Sequence, residues 1–195
     1  AIMSIEKNKN ITRFIVRAGI FSALSIVLYL LFKFIEIPMF APFLKLHIDE
    51  VAIFIASFAY GPLMGTIVII VKTLVSLLFT NPAVPFVGEF ADLIYSLAFV
   101  LPGAFIYKKN RNIKGVFASF IVGFISELLV SFFMNWFVMI PLYMKITELD
   151  SVLIKDIVYT YCLPAVLPFN AIKNVIVIAI TLPTYKSLHR LIDKI

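Results

Sequence analysis

Charge is scarce in this chain. Asp, Glu, Lys and Arg supply 14% of its 195 residues, whereas soluble domains carry about one quarter. A fully water-facing surface is therefore excluded. The single cysteine, Cys162, rules out an intrachain disulfide and a cysteine-rich metal centre. Two histidines, His47 and His189, are too few for a histidine cluster around a metal. No Gly-x-x-x-x-Gly-Lys-[Ser/Thr] stretch occurs, so the chain has no Walker-type nucleotide loop of its own. Low-complexity tracts and convincing internal repeats are also missing, which disfavours a carrier built from inverted repeats. The first apolar run is too long for a signal sequence and no small-residue cleavage pattern follows it, so no cleavable signal peptide is expected.

What is present is apolar: 62% of residues are hydrophobic and the mean hydropathy is +1.05. These values predict an all-α integral membrane protein. The formal charge of +6 is not spread as in a nucleic-acid binder. It falls into three short clusters: Lys7, Lys9, Arg13 and Arg17; Lys108, Lys109, Arg111 and Lys114; Lys186, Arg190 and Lys194. Each abuts a long apolar run, the pattern of cytoplasmic anchors. If all three face the cytoplasm, even numbers of spans separate them. Apolar runs at about 14–35, 49–60, 62–79, 85–107, 115–141 and 160–185 meet that condition. The expectation is one domain over residues 1–195 with six transmembrane helices and both termini inside. The run at 49–60 is shorter than the roughly 20 residues of a straight span and predicts a short or tilted helix.

The remaining lysines then sort by depth. Lys45, Lys145 and Lys155 fall in outer loops, and Lys33 can snorkel from the outer end of the first span. Lys72 and Lys173 stay inside the membrane, where an ammonium costs several kcal/mol without a partner or a wet cavity. Lys72 is expected to pair with an embedded carboxylate such as Glu89 or Glu127. Lys173 lies one helical turn from Asn170, on the same face. Three ammonium donors beside an amide that both donates and accepts suit a ligand with several polar heteroatoms.

Irregularity concentrates at the outer face. Residues 36–49 carry Pro38 and Pro42, which forbid regular helix, and the alternation from Phe43 to Ile48 reads as extended. Its apolar character predicts a lid over a pocket, with Phe43, Leu44, Lys45 and Leu46 facing the ligand. A second outer segment, 80–92, ends in Glu89 and Asp92 at i,i+3; such a bare pair is weak evidence for catalysis. The charges between Pro141 and Leu163 read as a solvated face. Asn135 lies among aromatics about one and a half turns before Pro141. Opposite Asn170 and Lys173 it would complete a ring of donors and acceptors walled by Trp136, Phe137 and Tyr143.

Several ordered segments resemble the substrate-binding S component of an energy-coupling factor (ECF) vitamin transporter, of the riboflavin-specific type. They are Phe43-Leu-Lys-Leu-His-Ile-Asp-Glu50, Phe58-Ala-Tyr-Gly-Pro-Leu-Met-Gly65 and Val87-Gly-Glu-Phe-Ala-Asp92, followed by Leu101-Pro and Phe105-Ile-Tyr, Asn135-Trp-Phe-Val-Met-Ile-Pro-Leu-Tyr143 and Leu167-Pro-Phe-Asn-Ala-Ile-Lys173. The resemblance implies that Asn135, Asn170 and Lys173 contact the flavin. It implies a multi-pass protein of a bacterial cell membrane that captures riboflavin from outside and works with a membrane T component and two cytoplasmic ATPases. A small-residue stripe, Ala18, Gly19, Ser22 and Ala23, would dock the T component. The chain departs from the family pattern at Leu46-His-Ile-Asp49, where Asp-Phe-Ser-Asp is frequent, and at Asp92, where asparagine is frequent. No cofactor or metal is expected; the flavin is the transported ligand.

Other readings share some of these features. An S component for thiamin, folate, biotin or pantothenate would keep the fold and change the pocket residues. FMN stays open, since Lys173 or Lys45 could accept a phosphate. An intramembrane enzyme would have to use Glu89, Asp92 or His47, without an evident nucleophile–base pair. An ion-coupled carrier would use Lys72 and Glu89.

Overall fold

The computed structural model describes residues 2–32, 46–79, 86–139, 141–142, 145 and 163–192, and the regular elements among them are all helical. The principal helices are α1 (Ile2–Phe32), α2 (Glu50–Tyr60), α3 (Pro62–Ser76), α4 (Val87–Lys109), α5 (Ile113–Met134) and α6 (Leu163–Ile192). A short 3₁₀ turn, Leu77–Phe79, extends α3, and a π-helical turn, Asn135–Met139, extends α5. Five helical stretches are long and apolar enough to cross a membrane: Asn10–Phe32, Pro62–Phe79, Val87–Lys109, Ile113–Met139 and Pro164–Leu188.

Helix α2 is the exception. Its 11 residues reach about 16 Å, roughly half the hydrocarbon thickness of a bilayer. All its residues from Glu50 to Ala59 are buried, because α1, α3, α4 and α6 pack around it. Its apolarity therefore serves the protein core. The break between α2 and α3 falls at Gly61, whose φ of 93° is open to glycine without a Cβ penalty. Pro62 then starts α3, where its missing N–H leaves no bond unmade.

Close packing between α4 and α5 also depends on glycine. A Cβ on Gly103 would lie 2.7 Å from the Ser119 carbonyl oxygen, and one on Gly123 would run into the Phe99 carbonyl. Gly103 meets Ser119 while Phe99 meets Gly123, the register of an antiparallel pair. Ser119 Oγ donates to the carbonyls of Gly103 and Gly115 at 2.7 Å each, tying the helices where they approach.

The molecule has two unlike ends. At one end, Phe54, Phe58, Phe99, Phe120, Tyr107 and Tyr185 make a continuous aromatic cluster, edge-to-face except for the tilted pair Phe58–Tyr107. The Tyr107 and Tyr185 hydroxyls meet at 3.0 Å, and the Arg17 guanidinium covers the Tyr60 ring at 4.6 Å. Lys108 and Lys186 directly follow Tyr107 and Tyr185 in the chain, so each basic cluster has a member beside this aromatic end. The other end, where α2 starts, is polar inside.

Candidate functional site

The polar end is built on two consecutive acids. Asp49 and Glu50 open α2 with their side chains fully buried, so each carboxylate needs a partner. Each takes a lysine from a different helix. Lys72 Nζ of α3 lies 2.7 Å from Asp49 Oδ2, outside hydrogen-bond alignment, and also contacts Asp92 of α4. Lys173 Nζ of α6 donates to Glu50 Oε1 at 2.7 Å. Lys72 is 0% exposed and Lys173 4%, so solvent screening is slight and both pairs are strongly felt.

His47 completes the cluster from the irregular residues just before α2. Its Nδ1 lies 2.5 Å from Asp49 Oδ1 and 3.8 Å from Glu50 Oε2, and its Nε2 lies 3.3 Å from Asp92 Oδ1. The Tyr29 ring of α1 meets it edge-on at 5.3 Å. Burial by itself lowers the imidazole pKa, but the Asp92 and Asp49 carboxylates outweigh it and raise it to about 9. Protonated His47, Lys72 and Lys173 thus face Asp49, Glu50 and Asp92, a balanced set of three cations and three anions. Ligating atoms of His47, Glu50 and Asp92 converge within 4.8 Å of one another. Lys72 and Lys173 already answer those carboxylates, and two ammoniums so near oppose a metal cation.

A neutral polar layer continues from this cluster. Asn135 Nδ2 donates to the Tyr95 hydroxyl of α4 and to the Ser131 carbonyl, each at 2.7 Å. Asn174 Nδ2 donates to Glu127 Oε2 at 2.7 Å. Asn170 Nδ2, Glu127 Oε1, Asn174 Oδ1 and Glu50 Oε2 are buried with no hydrogen-bond partner among the described residues. Unmet buried polar atoms cost roughly 1–3 kcal/mol each; Glu127 lies on α5, Asn170 and Asn174 on α6 and Glu50 on α2.

The structure places the expected residues unevenly. Asn170 and Lys173 are buried on one face of α6, and Asn135 is buried on the π-helical turn after α5. No hydrogen bond joins Asn135 to either of them among the described residues; Asn135 bonds to Tyr95 and Ser131, and Lys173 to Glu50. Glu89 is buried in the first turn of α4. It does not pair with Lys72, and neither does Glu127: the partners are Asp49 and Asp92. Trp136 and Phe137 are exposed to different degrees and stack on Phe132 and Phe133. Leu46 is half-buried. Phe43, Leu44, Lys45 and Tyr143, and with them the lid, lie outside the described residues.

The α1 stripe also divides. Gly19 and Ala23 are exposed, and a Cβ on Gly19 meets nothing within 4 Å. Ala18 and Ser22 are buried in the bundle, so the exposed part of the stripe is Gly19 and Ala23. A 3.6-residue period rotates the pair at i−1 off the exposed ridge.

Asp49, Glu50, Tyr95, Ser96 and Asn174 are site residues that sequence reasoning did not single out. Two adjacent acids opening an apolar helix, in a chain with two lysines at membrane depth, were the available signal for the first two. Asn174 repeats Asn170 at i+4, which puts it on the same face.

Comparison with known proteins bears on this arrangement. The family of the ECF transporter, substrate-specific component, matches residues 13–185. The riboflavin transporter RibU of Staphylococcus aureus (strain TCH60) is 30% identical over 195 residues, covering 99% of this chain and 97% of its own. The riboflavin transporter FmnP of Bacillus subtilis (strain 168) is 30% identical over 166 residues, covering 84% and 85%. A solved S component of a bacterial ECF transporter superposes with a TM-score of 0.76 at 29% identity, over 92% of this chain and 97% of that one.

Proposed function

The chain belongs to the substrate-specific components of ECF transporters, and from that membership we propose that it is the riboflavin-capturing subunit of a vitamin uptake system in a bacterial cell membrane. The observation that carries the reading is the face of α6. Asn170 presents a buried amide N–H without a partner among the described residues, one turn from an ammonium that Glu50 holds in place. A flavin ring offers carbonyl and ring-nitrogen acceptors together with an imide donor, so it can take up both. Asn135, whose Nδ2 donates to Tyr95, supplies a further amide. Buried sites of this kind recognise a planar polar edge through a few fixed groups.

Delivery follows from the family. One unit of six spans, with α2 the short one and the basic ends in the cytoplasm, would open its polar end to the outside. A T component would dock on the exposed Gly19–Ala23 ridge of α1, where small residues allow close helix approach. Two cytoplasmic ATPases would supply the energy. The relatives named above are riboflavin transporters, which supports the ligand assignment.

The test is direct. Purified protein should carry a yellow chromophore with a flavin absorption spectrum, and after its removal should bind riboflavin one to one in a fluorescence-quenching titration. No binding of riboflavin by correctly folded protein would overturn the proposal.

A further inference from the structure

Glu50 shares the site with Lys173 but matches none of the residues whose chemistry points to flavin recognition. Its carboxylate is held from three sides. Oε1 accepts from Lys173 Nζ at 2.7 Å and from Ser96 Oγ of α4 at 3.4 Å, and Oε2 lies 3.8 Å from His47 Nδ1. It is 0% exposed, so nothing but protein or ligand answers its charge. An ammonium has three N–H donors; with one committed to Glu50, two are left for acceptors on a ligand.

The pairing changes what those two can select. An unpaired ammonium in a buried pocket calls for an anion, because its charge is otherwise uncompensated. Paired to Glu50, it belongs to a cluster in which His47, Lys72 and Lys173 balance Asp49, Glu50 and Asp92. A neutral ligand leaves that balance intact, whereas a phosphate group adds negative charge that no free cation of the cluster answers. We propose that Glu50 is a positioning residue that aims Lys173 and cancels its charge, making the pocket favour an uncharged flavin over a phosphorylated one. This rests on the flavin reading above.

The experiment compares riboflavin and FMN as probes, titrated into flavin-free detergent-solubilised full chain, and reads the ratio of their Kd values. Glu50→Gln keeps the shape and deletes the charge, so the preference for riboflavin should fall about tenfold, the effect of one unit charge over about 10 Å at an effective dielectric constant near 20. Lys173→Met exposes the Glu50 charge instead; the preference should rise, even though riboflavin itself binds more weakly. Glu50→Asp should restore most of the wild-type ratio. A residue that served folding alone would weaken both flavins equally and leave the ratio where it was. A ratio within twofold of wild type in Glu50→Gln overturns the inference, as does a shift of both charge variants in the same direction. If Glu50→Gln does not fold, an unchanged or falling ratio in Lys173→Met overturns it alone. Wild-type protein that binds no riboflavin overturns the function proposed above together with this inference.

Discussion

Replacing Lys72 with methionine keeps the side-chain length and its apolar stem but removes the ammonium. Lys72 is 0% exposed and contacts Asp49, itself fully buried, and Asp92, whose side chain is 16% exposed. The Tyr29 ring beside it, 5.4 Å from Nζ, cannot replace a charge. Removing one member of a buried ion pair leaves the other desolvated and unanswered, at a cost of about 3–5 kcal/mol. His47 stays between the two acids and moderates the loss, so the lower part of that range applies first. For a chain of this length each kcal/mol moves the unfolding midpoint by about 2–4 °C, giving a drop of about 6–20 °C. Thermal unfolding of the purified protein in detergent measures it, with exposed Lys108→Met as the control, expected to change stability by less than about 0.5 kcal/mol. Adding Asp92→Asn to Lys72→Met should recover part of the loss by removing one unanswered charge. A Lys72→Met midpoint equal to that of Lys108→Met would refute the reasoning.

Three further outcomes are expected. Lys173→Ala and Asn170→Ala should each weaken riboflavin binding by about tenfold or more, consistent with about 1.5–3 kcal/mol for a bond to a charged group or an orphaned buried amide, while exposed Lys145→Ala leaves the titration unchanged. Gly19→Leu or Ala23→Leu should abolish uptake by cells yet leave binding by the isolated protein nearly intact, since both positions are exposed and a Gly19 Cβ meets nothing; loss of both would place the ridge inside the bundle. The His47 pKa is raised, so its contribution is fully present below about 6.5, the unfolded value, and is lost as pH rises through about 9. The melting midpoint should therefore fall relative to His47→Gln between pH 7 and pH 10 (about neutral to about one unit above the raised value), and parallel curves would contradict the carboxylate cage.

Much of the fold was legible because it is written in composition and punctuation. Long apolar runs set the helices, and Gly61-Pro62 marks the break between α2 and α3. The start of α1 was not legible: the helix begins at Ile2, well before the apolar run, because polar residues continue a helix as readily as they end one. In the site, Lys173, Asn170 and Asn135 stood out as polar groups at membrane depth. Their partners did not, because ion pairing is tertiary: Lys72 finds Asp49 and Asp92 only once α2 and α4 lie beside α3. The exposure of Trp136 and Phe137 was hidden for a similar reason. A π turn at 135–139 changes the angular phase that a 3.6-residue reading assumes.

The pair between Glu50 and Lys173 joins residues 123 positions apart. During synthesis, α2 emerges before Lys173 is made, and until then protonated His47 and Lys72 face the three carboxylates of Asp49, Glu50 and Asp92 with one negative charge in excess. Assembly therefore has a natural final step. A chain cut before α6 lacks the closest cation of Glu50 and keeps an excess negative charge at the buried start of α2. The last helix thus closes the charge balance that the second one opens, and the ion pair ties the two ends of the chain's assembly together.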